Sequence, residues 1–75
     1  MKKYKRGTAL KVAYGSGTQL AIVDYVDSGR IFAWRYRAAS RAWTDPVAVH
    51  PLEVLGIWEG RWPRGAKRAD LGLTD

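Results

Sequence analysis

Two strand-like runs on either side of Asp27-Ser28-Gly29 restrict the fold of this chain more than any other stretch. Leu20 to Val26 is rich in β-branched and aromatic residues, with Asp24 as the interruption, and Ile31 to Arg37 alternates. Asp-Ser-Gly suits a three-residue hairpin connection, because glycine takes positive φ without a Cβ penalty. Side chains along a strand alternate between faces. Phe32, Trp34 and Tyr36 therefore share one face of the second run, and Arg35 and Arg37 share the other. The aromatic face is expected inside and the arginine face outside, so the class is all-β.

Length limits how such a hairpin is stabilised. A chain of 75 residues is one small domain, and a domain of that size buries only about 60% of its unfolded surface. Cysteine is absent and His50 is the single histidine. Disulfides and thiolate metal sites are excluded, and a zinc site is not expected. Aromatic packing or self-association remains as the source of extra stability.

The rest of the sequence supplies short elements and turns. Thr8 to Tyr14 alternates, with Leu10, Val12 and Tyr14 on one face. Gly15-Ser16-Gly17 marks a turn. It lacks the Lys-Ser/Thr ending and the following helix that a phosphate-binding loop requires. Trp43 to His50 reads as a fourth strand, weakened at Pro46, which has no N–H to donate. Pro51 to Leu55 reads as one helical turn with proline at its start. Ile57 to Trp62 reads as the last strand. The expected organisation is a flexible basic arm over 1–6, a folded body over 7–62 and a loose C-terminal tail over 63–75.

That order resembles the SH3-like small barrel: five strands, with one helical turn before the last. The resemblance covers roughly residues 7 to 62 and rests on element order. A narrower likeness is to the plasmid-borne type II dihydrofolate reductases, SH3-like protomers that assemble as a tetramer around a shared pore. Their pore motif reads Val-Gln-Ile-Tyr-Pro. In Val47-Ala-Val-His-Pro51 the residues Val47, Val49 and Pro51 fit. Ala48 stands where the glutamine would be and His50 where the tyrosine would be, while Lys11 is out of register with the family's first-strand lysine. The pore residues do not carry over. The likeness implies the fold and makes homo-oligomer formation worth testing, without the reductase activity.

Charge gives the functional reading. The formal net charge is +6, and its placement matters more than its total. Residues 1–6 carry Lys2, Lys3, Lys5 and Arg6 without an acid, residues 7–60 are balanced, and Arg61, Arg64, Lys67 and Arg68 outnumber the acids of residues 61–75. Arg30, Arg35, Arg37 and Arg41 fall in an acid-free stretch. Arginine matches phosphate with its planar fork, and phosphate contacts supply most sequence-independent affinity for nucleic acid. The expected contacts are Lys2, Lys3, Lys5, Arg6, Arg35, Arg37, Arg41, Arg64, Lys67 and Arg68. Eight aromatic residues between Tyr14 and Trp62 are too many to lie wholly inside so small a body. Trp43 and Trp62 have the weakest alternation support and are the expected aromatic contacts.

Catalysis finds little support. The serines at 16, 28 and 40 lack a nucleophile elbow, and the carboxylates form no acid–base pair. His50, before Pro51, reads as a strand-end residue with a backbone partner. No motif implies a cofactor. No apolar run reaches the length of a signal-peptide core or a membrane span, so a cytoplasmic protein is expected. Two functions follow: a nucleic-acid-binding small barrel (DNA or RNA), or a protein-interaction module or homo-oligomer that uses exposed aromatics and meets an acidic protein partner.

Overall fold

The computed structural model describes residues 4–73. It is an all-β molecule whose six strands are β1 (Ala9–Tyr14), β2 (Gly17–Asp27), β3 (Arg30–Arg37), β4 (Ala42–Trp43), β5 (Val47–Val49) and β6 (Val54–Ile57). The sheet runs β4-β3-β2-β1-β6, and β5 also pairs with β3. All pairings are antiparallel. β4 lies beside Tyr36–Arg37 and β5 beside Ile31–Ala33, so the two short strands divide one edge of β3. The path ends at β4 and at β6, and the sheet is open. Single 3-10 turns occupy Pro51–Glu53 and Arg68–Leu71. No helix among the described residues is long and apolar enough to cross a membrane.

The sequence reading differs from this in three places. There are six strands, not five, because Thr44-Asp45-Pro46 interrupts the fourth run. The helical turn is a 3-10 turn that stops at Glu53, so the last strand begins at Val54 and ends at Ile57. Trp58 to Trp62, read as strand, carries only the backbone bond Trp58 N–H to Ala9 O (2.9 Å) beyond it.

The largest difference lies in which residues are buried. Residues Gln19 to Val23 of β2 are buried without alternation, which marks a sheet covered on both faces. Leu10, Val12, Ala21, Val23, Ile31, Ala33 and Val49 form one cluster on one face. Ala9, Leu20, Ile22 and Tyr36 form a second cluster on the other, packed with Trp34, Trp43, Trp58, Trp62, Ala66, Leu71 and Leu73. Arg35 therefore shares its face with Ile31 and Ala33, and the aromatic face of β3 belongs to the second cluster. The tail predicted to be loose supplies much of the second cover through its described residues.

A β-bulge at Asp24 displaces the hairpin register, with Val23 opposite Ala33 and Tyr25 opposite Phe32. It brings Tyr25 onto the ring of Phe32, with centroids 4.6 Å apart. It also presents Asp24 to Arg6 at 3.3 Å.

Candidate functional site

The segment that covers the second face determines where the cations go. Tyr36 is buried, and its Oη donates to the Arg64 carbonyl at 2.7 Å. Gly65, with φ 86°, passes directly over that hydroxyl; a Cβ there would lie 2.8 Å from it and 3.8 Å from Arg41 Cβ. Arg41 is thus brought against the Arg64-Gly65 backbone. Further along, Arg68 stacks over the Trp62 ring at 4.8 Å and donates through a guanidinium nitrogen to the Gly7 carbonyl. Arg6 lies 5.7 Å from the centroid of Trp34. The basic segments at the two ends of the chain, 61 residues apart at the Gly7–Arg68 contact, therefore adjoin.

Arg35 departs from the expected role. Its side chain is 15% exposed and bonds Glu53 Oε2 at 3.1 Å. It also donates to Gln19 Oε1 at 3.2 Å and to the Ala13 carbonyl at 3.4 Å. Buried Gln19 in turn donates to the Tyr36 carbonyl at 3.1 Å. These internal acceptors hold Arg35 among the strands, so Arg35 and Arg37 do not stand side by side on an outer arginine face. Arg37, Arg41, Arg64, Lys67 and Lys5 are exposed. Lys2 and Lys3 lie outside the described residues.

The aromatic expectations also shift. Trp43 is half-buried edge-to-face against Tyr36, at 4.9 Å, and Trp62 is half-buried beneath Arg68. The indole N–H groups of Trp43 and Trp58 are buried without a hydrogen-bond partner. Tyr14, which the sequence reading grouped with Leu10 and Val12, is 61% exposed. It pairs with Gly17 at the end of β1, past the last core layer. A strand-end position beside a Gly-Ser-Gly turn is the sequence signal for that exposure.

Tyr14 borders a groove of about 410 Å³ lying between the β1–β2 turn and the β3–β4 turn. Tyr36, Trp58 and Pro63 line it with Arg37 and Ser40, and no Asp or Glu contributes to the lining. A second depression of about 370 Å³ lies beside Trp62, Lys67 and Arg68.

His50 caps the first 3-10 turn. Its Nδ1 accepts from Leu52 N–H at 3.1 Å, and Glu53 Oε1 accepts from His50 N–H at 3.0 Å. The His50 backbone N–H and the Arg35 guanidinium hold the Glu53 carboxyl below its ordinary value of 4.5. Among the described residues no His, Asp and Glu side chains gather in a metal-binding group. No family model, curated protein or solved structure matches the chain.

Proposed function

We propose that this chain is a small SH3-like barrel that binds nucleic acid through one continuous basic face. The observation that carries the reading is the contact of Arg68 with the Gly7 carbonyl. It joins the Lys5-Arg6 segment to the Arg64–Arg68 segment, with Arg41 packed alongside and Arg37 exposed at the end of β3. Clustered cations on one side of a compact body form the electrostatic footprint of phosphate recognition. Arg35 is left out of the contact set, since its side chain is only 15% exposed and is held among the strands by Glu53, Gln19 and Ala13.

A binding titration against salt tests the proposal. With several phosphate contacts, log K falls linearly with log salt, by about 0.9 per contact on duplex DNA and about 0.7 on single strands. Removing residues 1–6 weakens binding to all sequences alike. Affinity that is undetectable at low salt, or unaffected by salt, overturns the reading.

One observation favours a second reading. Leu52 (86% exposed), Leu55 and Ile57 (both 52%) present apolar surface at the β6 end of the open sheet. A protein-interaction module or homo-oligomer would cover them. Light scattering discriminates: a concentration-dependent oligomer disrupted by Leu55→Lys supports this reading, and a monomer at both low and high salt supports the first.

A further inference from the structure

We infer that the groove bordered by Tyr14 seats one unpaired nucleobase, which makes the ligand class single-stranded nucleic acid. The inference rests on the nucleic-acid reading above and adds to it the strand state of the ligand.

Shape comes first. A convex duplex presents phosphates and groove edges, and its bases are stacked inside. A concave site takes a base only from a single strand, or after flipping at the cost of unstacking. The groove's volume of about 410 Å³ is near the lower end of small-ligand sites, roughly 300–1,000 Å³. Tyr14, Tyr36 and Trp58 are its aromatic lining residues, and of these Tyr14 is 61% exposed and Tyr36 is buried, so Tyr14 is the ring free to stack. Every base has a π-face, so such a ring accepts any base by stacking.

Charge selects the occupant. Arg37 lines the groove and no acid does. The Arg64 backbone adjoins it, because its carbonyl accepts from the hydroxyl of Tyr36, itself a lining residue. Arg41 packs within 3.8 Å of where a Cβ on Gly65 would stand. A base seated between the turns places a flanking phosphate toward Arg37, with the chain segments that carry Arg41 and Arg64 next to it. An uncharged proline-rich peptide, the other ligand class that aromatic grooves accept, gains nothing from them.

The test uses the full chain and fluorescence anisotropy, with a short labelled oligothymidylate and a labelled duplex of equal length at one salt concentration. Tyr14 is exposed, so Tyr14→Ala and Tyr14→Phe are expected to fold; circular dichroism checks this. Tyr14→Ala lowers single-strand affinity by about tenfold, the loss of one base–aromatic stack, and leaves duplex affinity unchanged. Tyr14→Phe keeps single-strand affinity. The combined variant Arg37→Ala, Arg41→Ala, Arg64→Ala weakens both ligands.

The inference is overturned, with the basic face intact, if the cation variant weakens both ligands while Tyr14→Ala changes neither, or changes both equally. Binding of an uncharged proline-rich peptide that Tyr14→Ala abolishes, with oligonucleotide affinity unaltered, assigns the groove to a peptide and also overturns it. Absence of binding to either nucleic acid at low salt removes both the groove assignment and the function proposed above.

Discussion

Gly65 shows how a single residue locks the covering segment in place. Its φ of 86° is unfavourable for any side chain, and a Cβ would stand 2.8 Å from Tyr36 Oη. Tyr36 cannot yield easily, since it is buried and bonded to the Arg64 carbonyl. Gly65→Ala is expected to cost about 1–3 kcal/mol, read as a lower urea midpoint. Ala introduced at Gly15, where no atom lies within 4 Å, carries only the backbone part of that cost. Arg35 is the second decisive residue. Arg35→Ala leaves the buried Gln19 Oε1 without its donor, a loss of about 1–3 kcal/mol, whereas a solvated arginine would change stability little. Residue types alone made Pro63-Arg-Gly65 the start of a loose tail and did not report its packing on Tyr36. The role of Arg35 was not, because its partners Gln19, Ala13 and Glu53 come from three other parts of the chain and alternation says nothing about them.

The element in which local chemistry is most complete is the 3-10 turn at Pro51–Glu53. Proline opens it, His50 accepts from Leu52 N–H, and Glu53 reaches back to His50 N–H. The expectation of a strand-end His50 with a backbone partner follows from the His-Pro junction, and the structure gives that partner. The pH behaviour follows from Glu53. Its carboxyl is held below its ordinary value of 4.5 in the folded chain, so folding binds fewer protons at this site than unfolding does. The stabilisation is complete above the ordinary value and is lost as the pH falls from there through the lowered one. Wild type is expected to exceed Glu53→Gln in urea midpoint at neutral pH, and the gap should close on acidification through that range. The length of the turn was less legible. Val54 and Leu55 fit a helical continuation, but Val54 and Gly56 instead pair with β1, a long-range bond that local propensity does not report.

At the scale of the molecule, the sheet is buried on both faces, and the two covers have different origins. The cluster of Leu10, Val12, Val23 and Val49 is built from strand residues, with Tyr4 and Val54 packed against it. Residues up to Leu73 cover the cluster of Leu20, Ile22 and Tyr36. A chain ended after Pro63 is expected to lose about 3 kcal/mol or more, from two partly buried leucines, Ala66 and the Tyr36 hydrogen bond. It should also bind a hydrophobic dye through the uncovered face. An unchanged urea midpoint would mean that the tail contributes no packing. The same segment gathers the cations, so the truncated chain should also lose affinity for nucleic acid beyond what the charge removed from solution would cause.

The sequence by itself determined the all-β class, the central hairpin and the surplus of cations near both ends; the hairpin turn, read as the three residues Asp27-Ser28-Gly29, is the two residues Ser28-Gly29, because Asp27 pairs with Arg30. The class, the hairpin and the cation surplus are each a property of neighbours in the chain, which alternation, turn residues and charge counts report directly. Only the tertiary structure decided that both faces of β3 are covered, that Arg35 is held by internal acceptors, that Tyr14 rather than Trp43 or Trp62 stands exposed beside a groove, and that the two basic segments meet at Gly7 and Arg68. These depend on residues far apart in sequence. Period-two patterning distinguishes one face of a strand from the other, but where both faces are apolar it cannot say which neighbours will cover each.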